Sequence, residues 1–537
     1  MDCLNITVNE KDSFIKEYTN HNAQILKFYA FDPNSSESYD QRMTSPNNGR
    51  EQAVASAIRA YMSDVSLTEE QQENLNALAD GAKVVIGGQQ AGLFTGPLYT
   101  FHKILSIITK AKELSQTYDA RVVPVFWIAG EDHDFEEVNH AYTMQQRTGT
   151  LKKVKYHTLT PPETTVSRYV PDREALHNAL TQFFEALPET VYSKSLIEEI
   201  EHFIDSAETW VDLFKLIVQR CFGSHGILMI DAQCKALRQV EKPILKQLVQ
   251  RHDEVDKAFR RTQQQVEKAG LTKMIHTHTN VHLFLHEEGQ RQLLNYEAGN
   301  YKLSKSEKCY TQETLLTLVE QEPELFSNNV VTRPLMQEWL FNTVAFIGGP
   351  SEIKYWGELK EVLRLFDVEM PIVLPRMRMT YVSAQVKRLL DMYDLNVEDV
   401  ISEGVEAARA TFIRSHASDL VLQQIDNMLT QQHQFYDVLA QEMSDTEDNR
   451  NLLKKNHDIQ TYQYEYLKTR YLNNIAKDNE VSMRHFKVLT HTLHPMGGLQ
   501  ERIWNPLQLL NENGIDMYAS HTFPPLRYTF DQIVVQI

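Results

Sequence analysis

The apolar run Pro124-Val125-Phe126-Trp127-Ile128 stops at Ala129-Gly130-Glu131-Asp132-His133-Asp134, four ionisable groups in a row. Carboxylates and an imidazole in that position can orient or deprotonate an amine, or hold a divalent cation. In open parallel sheets ligands bind outside the carboxyl ends of the strands, where this segment would lie. Glu131, Asp132 and His133 are therefore candidate catalytic groups, and Asp134 a candidate substrate contact. A helix N-cap also uses an acid, but it needs one and the sequence supplies three.

A second segment, Val84-Val85-Ile86-Gly87-Gly88-Gln89-Gln90-Ala91-Gly92-Leu93-Phe94-Thr95-Gly96-Pro97-Leu98-Tyr99, reads as a strand, a glycine-rich loop and the start of a helix. Glycines there let backbone N–H groups approach an anion, and Pro97 suits a first helical turn. Gly87, Gly88, Gly92, Thr95, Gly96 and Tyr99 are candidate nucleotide or anion contacts, with Gln89 and Gln90 facing substrate. The spacing is neither GxGxxG nor a Walker A loop, so neither reading is licensed. A plain strand-to-helix turn would use the same glycines.

Three more stretches carry candidates. Asn328-Asn329-Val330-Val331-Thr332-Arg333 pairs amide donors with an arginine able to clamp a carboxylate or phosphate, so Asn329 and Arg333 are assigned to substrate. Gly348-Gly349-Pro350-Ser351-Glu352 again reads as a turn into a helix; Tyr355 follows as a substrate contact and Trp356 as core. Leu374-Pro375-Arg376-Met377-Arg378 ends the last core strand with two arginines, where a phosphate could lie or a solvated basic turn could form. His276, His278, His282 and His286 share parity, so one continuous strand would align them on a face; an exposed face is favoured there over a metal site.

These groups need a scaffold. Val84–Ile86, Val122–Ile128, Ile227–Ile230, Val344–Ile347 and Ile372–Leu374 are apolar on both faces, the pattern of a buried parallel sheet in βα units. The expected division is 1–80 a helical layer, 81–150 the first part of the core and 151–220 a helical insertion. Core resumes at 221–258, a connecting insertion with a strand near Val281–Leu285 fills 259–327, and 328–380 completes the core. Residues 381–493 form an antiparallel helical coiled coil, in which Leu422, Leu429, Tyr436 and Met443 recur every seven positions and Ile425 and Leu439 fill the second seam. Leu452, Ile459, Tyr466 and Leu467 resume the pattern on the returning helix, and 494–537 is a C-terminal segment ending in a strand, Ile533-Val534-Val535.

The 537 residues carry 54 Lys+Arg against 72 Asp+Glu, a net charge of −18 that disfavours nucleic acid as a partner. No run approaches the roughly 20 apolar residues of a membrane span, and no signal peptide is evident, which predicts a cytoplasmic protein. Its 4 cysteines form no CxxC pair, so neither a disulfide framework nor a thiolate zinc cage is encoded.

Taken together, Gly87 to Gly92, Thr95 to Thr100, Ala129 to Asp134, Asn328 to Met336 and Gly348 to Ile353 resemble the bacterial bacillithiol-biosynthesis cysteine-adding ligase family. The resemblance extends through Gln500-Glu501-Arg502-Ile503-Trp504. It implies an α/β fold with a Rossmann-like core similar to class I aminoacyl-tRNA synthetases, connecting insertions, and a coiled coil used for homodimerisation. It also implies ligation of L-cysteine to glucosaminyl-malate, with ATP or another nucleotide as the plausible activator. Thr95-Gly96-Pro97-Leu98 stands where such synthetases carry a histidine signature, and Pro375-Arg376-Met377-Arg378 where they carry a lysine-rich loop. No paired cysteines are present to hold a substrate thiol on zinc. Two other functions compete: a metal-dependent hydrolase built on Glu131 to Asp134, and a nucleotide-binding scaffold.

Overall fold

The computed structural model describes residues 1–8, 12–132, 134–145, 148–158 and 164–537. Two compact units divide the chain: one comprises 1–146, 151–382 and 500–537, the other 147–150 and 383–499.

The first unit is built on five parallel strands, Lys83–Gln89, Val122–Ile128, Leu228–Asp231, Thr343–Gly348 and Ile372–Pro375. All five coincide with the apolar runs of the sequence, because a sheet covered on both faces needs no polar alternation. Val84, Val85, Ile86, Val123, Val125, Phe126 and Trp127 are all 0% exposed. Each such side chain contributes roughly 1.5–3 kcal/mol on burial.

Numbered along the chain, the strands lie in the order 5-4-1-2-3. This is the doubly wound, Rossmann-like arrangement, in which the winding direction reverses between the first and fourth strands. The crevice at that switch point opens beside Gln89 and Gly348. The helix Tyr99–Tyr118 crosses from the first strand to the second, its buried face running from Thr100 to Thr109, and it ends where Asp119 turns left-handed at φ 47°.

Around the core, Thr68 starts the helix Glu69–Ala79 with a capping box to Gln71, as the sequence Leu67-Thr68-Glu69-Glu70 suggests. The N-terminal layer is helical apart from one strand, Asp2–Ile6. That strand pairs antiparallel with Gln532–Gln536, which in turn lies parallel to Arg378–Val382. A separate five-stranded sheet is formed by Leu283–Glu287, Gln290–Glu297, Asn300–Leu303, Cys309–Tyr310 and Phe326–Asn328. Its neighbouring strands are antiparallel.

The four histidines do not share a strand face. Residues 271–282 precede the strand that begins at Leu283, and His282 has a φ of 60°, which breaks the parity. His282 is buried, with Nε2 2.9 Å from Asp256 Oδ1 and Nδ1 3.1 Å from Asn329 Nδ2.

The second unit is helical. Asp419–Glu442 and Glu447–Asp478 form an antiparallel hairpin, as the pairs Ser418–Tyr471, Asp426–Lys468 and Tyr436–Asn456 show. Leu422 and Ile425 are buried in its seam, and Leu429, Tyr436, Leu439 and Met443 are half-buried. Leu452, Ile459, Tyr466 and Leu467 are 49–59% exposed, so that row lies outside the hairpin seam in which the heptad reading put it. No described helix is long and apolar enough to cross a membrane.

Candidate active site

At the switch point the first unit carries a cleft of about 810 Å³. It is lined from all sides of the crevice: Gly88, Gln89 and Gln90 after the first strand, Glu131 and Asp132 after the second, and Gly349 to Glu352 with Tyr355 after the fourth. Arg376, after the fifth strand, and Asn329 and Arg333 complete it, with Tyr99 from the first helix. The doubly wound topology thus gathers most of the residues singled out by sequence into one place.

Others lie elsewhere. Asp134 is exposed at the start of the short helix Phe135–Val138 and does not line the cleft. Arg378 is engaged in the C-terminal sheet, donating to Phe530 O at 3.1 Å. Gly87 and Thr95 are buried beneath the site, and His133 lies outside the described residues. Gly92 and Gly96 line a neighbouring cavity of about 250 Å³ together with Gln89, Tyr99 and Arg502.

The glycine-rich turn is stiffened by the C-terminal segment. Asn505 Nδ2 donates to Gly96 O at 2.9 Å and to Phe94 O at 3.0 Å, and Leu98 N donates to Trp504 O at 2.7 Å. One backbone donor at the helix start that could have met an anion is therefore already used. A Cβ on Gly92 would stand 2.7 Å from Gly96 Cα, so the turn itself requires this glycine. Gly87 and Gly88 belong to the strand, where a Cβ would come 2.6 Å from Ile347 O and 2.7 Å from Trp127 O.

Beneath the cleft, buried charges fix the rims. Glu131 is 5% exposed and accepts from Arg238, from Asn328 N at 3.1 Å and from Asn328 Nδ2 at 3.2 Å. Arg238 also pairs with Glu241. Glu131 thus ties the second strand to Asn328 and positions the neighbouring Asp132 and Asn329. Asp132 Oδ2 accepts from Gln90 Nε2 at 2.6 Å, and the same amide reaches Glu137 Oε2 at 3.0 Å. This edge of the cleft is an acidic, amide-bridged ledge suited to an ammonium or amine.

The facing edge is cationic. Arg333 Nη2 donates to Tyr355 Oη at 3.0 Å, and burial pushes the Tyr355 phenol up to about 12 despite the arginine beside it. Tyr355 therefore stays protonated. Arg376 lies 5.5 Å over the Tyr99 ring and bonds Glu501. Burial alone would raise the Glu501 carboxyl, but Arg376 and His102 outweigh it and bring it down to about 2. His102 Nδ1 lies 2.7 Å from Glu501 Oε2, and burial holds the imidazole below its usual range.

Among the lysines and arginines of the cleft, sequence reasoning missed three. Lys103 is 1% exposed, and its Nζ donates to Gly88 O at 2.6 Å, Gln89 Oε1 at 3.1 Å and Glu352 Oε2 at 2.5 Å. Arg291, from the insertion sheet, donates to Ser327 Oγ at 3.0 Å and Asn328 O at 2.8 Å, and burial lowers its guanidinium to about 10. Arg502 reaches the rim from the C-terminal segment. The signal for Lys103 was its place one helical turn beyond Tyr99; nothing local distinguished Arg291. Among the described residues no three His, Cys, Asp or Glu side chains gather as a metal ion would require.

Fold and cleft together define a Rossmann-like α/β protein with a helical coiled-coil unit and a polar cleft of mixed charge at its switch point. The chain belongs to the bacillithiol biosynthesis BshC family: residues 1–377 match "Bacillithiol biosynthesis BshC, N-terminal Rossmann-like domain" and 379–537 match "Bacillithiol biosynthesis BshC, C-terminal coiled-coil domain". It is 54% identical over 536 residues to the "Putative cysteine ligase BshC" of Staphylococcus carnosus (strain TM300), covering 100% of both chains. Equally named proteins of Staphylococcus haemolyticus (strain JCSC1435) and Staphylococcus aureus (strain MRSA252) are 54% and 52% identical, again over 100% of each chain.

Proposed function

We propose that this protein is a cytoplasmic cysteine ligase that joins L-cysteine to the amine of glucosaminyl-malate, forming the amide bond of bacillithiol. The observation that carries this reading is the full-length likeness to proteins named as cysteine ligases, in a chain whose cleft sets an acidic ledge opposite a cationic one. A carboxylate does not condense with an amine unaided. The reaction uses a nucleoside triphosphate, which takes the cysteine carboxylate at its α-phosphorus and loses pyrophosphate; the sugar amine then attacks the carbonyl and nucleoside monophosphate leaves. Asp132, supported by Gln90, orients the amine and accepts its proton. Arg333 and Tyr355 hold a malate carboxylate, and Arg376, Arg502 and Tyr99 face the phosphates. Glu131, committed to Arg238, acts as a positioning residue.

The protein acts as a homodimer through the exposed rows of its helical hairpin. The direct test is an assay of pure protein with cysteine, glucosaminyl-malate and a panel of nucleotides, read by mass spectrometry. Bacillithiol and nucleoside monophosphate in equal amounts are expected. No product with any nucleotide, and unchanged bacillithiol in a deletion strain, would overturn the assignment.

A further inference from the structure

Away from the cleft, a second polar cavity of about 240 Å³ lies beside Asp231, the last residue of the outermost core strand. Gln233 lines it and is only 7% exposed, yet neither its amide nitrogen nor its amide oxygen has a partner. Tyr61 Oη and Glu324 Oε2, on the same wall, are also buried and unpartnered. Burying such a group unpaired forfeits its hydrogen bonds to water with nothing in return. With Ser167 Oγ, five orphaned atoms converge on one cavity and call for an occupant that pairs with them.

The charge of the wall says what kind. Asp231 is 6% exposed and accepts from Gln233 N at 3.2 Å, but among the described residues no ion pair reaches it. Burial, only partly offset by the more distant Arg238, holds its carboxyl up at about 6. Arg168 instead donates to Glu324 O at 2.7 Å, and Asp212 is taken by Lys215 at 3.2 Å and by Thr209. The open acceptors are thus Asp231, Glu324 Oε2 and Gln233 Oε1, and the open donors are Tyr61 Oη, Ser167 Oγ and Gln233 Nε2, with the exposed Lys235 at the rim of the same wall. A small molecule with a primary ammonium at one end and a hydroxyl or carbonyl at the other satisfies both sets, and the volume admits an amino alcohol or a small amino acid. We infer that this cavity is a binding site for such an ammonium compound, separate from the cleft at the switch point.

Calorimetry on the full chain tests this with ethanolamine, and with ethylene glycol as the uncharged control of similar shape. Ethanolamine is expected to bind one per chain and ethylene glycol not to bind. Asp231→Asn and Glu324→Gln should each weaken ethanolamine by about tenfold or more, as loss of a charged hydrogen bond implies. Glu324→Gln, nearer the rim, keeps the test alive if Asp231→Asn fails to fold. Arg333→Ala, in the cleft, should leave ethanolamine binding unchanged, which separates this site from the proposed ligase site. Absence of ethanolamine binding would mean that water alone fills the cavity, and equal binding by a folded Glu324→Gln variant would place ethanolamine elsewhere; either result would overturn the inference.

Discussion

Lys103 Nζ meets Glu352 Oε2 at 2.5 Å, a contact between the helix after the first core strand and the helix after the fourth. The pair therefore bridges the point at which the winding of the sheet reverses. Burial draws the Lys103 ammonium below its usual range, while Glu352 pulls it back. Gly349 N also donates to Glu352 Oε2, at 2.7 Å, so the turn after the fourth strand depends on the same carboxylate.

Removing one partner should leave the other unpaired. Lys103→Met is expected to lower stability by about 3 kcal/mol, in the range for breaking a buried pair, and Lys103→Met with Glu352→Gln to recover part of that. Denaturant titration of the single and double variants measures the coupling. Strict additivity would show that the two side chains do not act as a pair.

The strands were legible because burial on both faces writes them as unbroken apolar runs, and the ends of those runs marked Gln89, Asp132 and Arg376. The network beneath them was not legible. Arg238 serves Glu131 from 107 residues away, and Glu501 serves Arg376 from 125, so each ion pair exists only once the fold has closed. Arg291 enters from an inserted sheet whose pairing no local pattern announces. The glycines were read as letting backbone N–H groups approach an anion, whereas at Gly87 and Gly88 the close approach is to neighbouring strands.

That distinction separates two glycines experimentally. Gly88→Val would push side-chain carbon against Trp127 O and should cost about 3 kcal/mol or more, the upper end for overpacking. A Cβ on Gly349 would stand 3.1 Å from Arg376 Nη1, the end of a flexible side chain. Gly349→Ala should therefore keep most of the stability and lose activity. Equal thermal midpoints for the two variants would contradict this division.

Acid should act through Glu501. Its folded carboxyl titrates near 2 against an ordinary 4.5, so the stability it contributes is complete above about 4.5 and is lost as pH falls through about 2. Glu501→Gln should be less stable than the parent at neutral pH and show a shallower loss over that acid window. Parallel acid limbs for parent and variant would remove Glu501 from the account.

In the cleft, binding and chemistry should separate. Arg333→Ala is expected to raise the apparent KM for the malate-bearing substrate about 10- to 100-fold, the equivalent of 1.5–3 kcal/mol for a charged hydrogen bond, with a smaller effect on kcat. Asp132→Asn keeps the Gln90 contact in shape but cannot take a proton, so kcat should fall and KM change little. Steady-state kinetics with each substrate varied decides it, and a variant pair with interchanged effects would reverse the two roles.

The last prediction concerns the hairpin. A heptad pattern identifies an apolar row but not what covers it, and here two rows are left uncovered. Val421, Met428 and Phe435 recur every seven residues on one helix and are 38–58% exposed, while Leu452, Ile459 and Tyr466 do so on the other at 49–59%. Leu429 and Leu439 instead face the seam inside the hairpin, so replacing them would unfold the unit and would not report on assembly. Phe435→Asp with Ile459→Asp leaves that seam intact and places charge on both outer rows. Light scattering should then fall from twice the chain mass to the chain mass, with helical circular dichroism unchanged. A parent protein already monomeric at micromolar concentration would show that these rows do not join two copies.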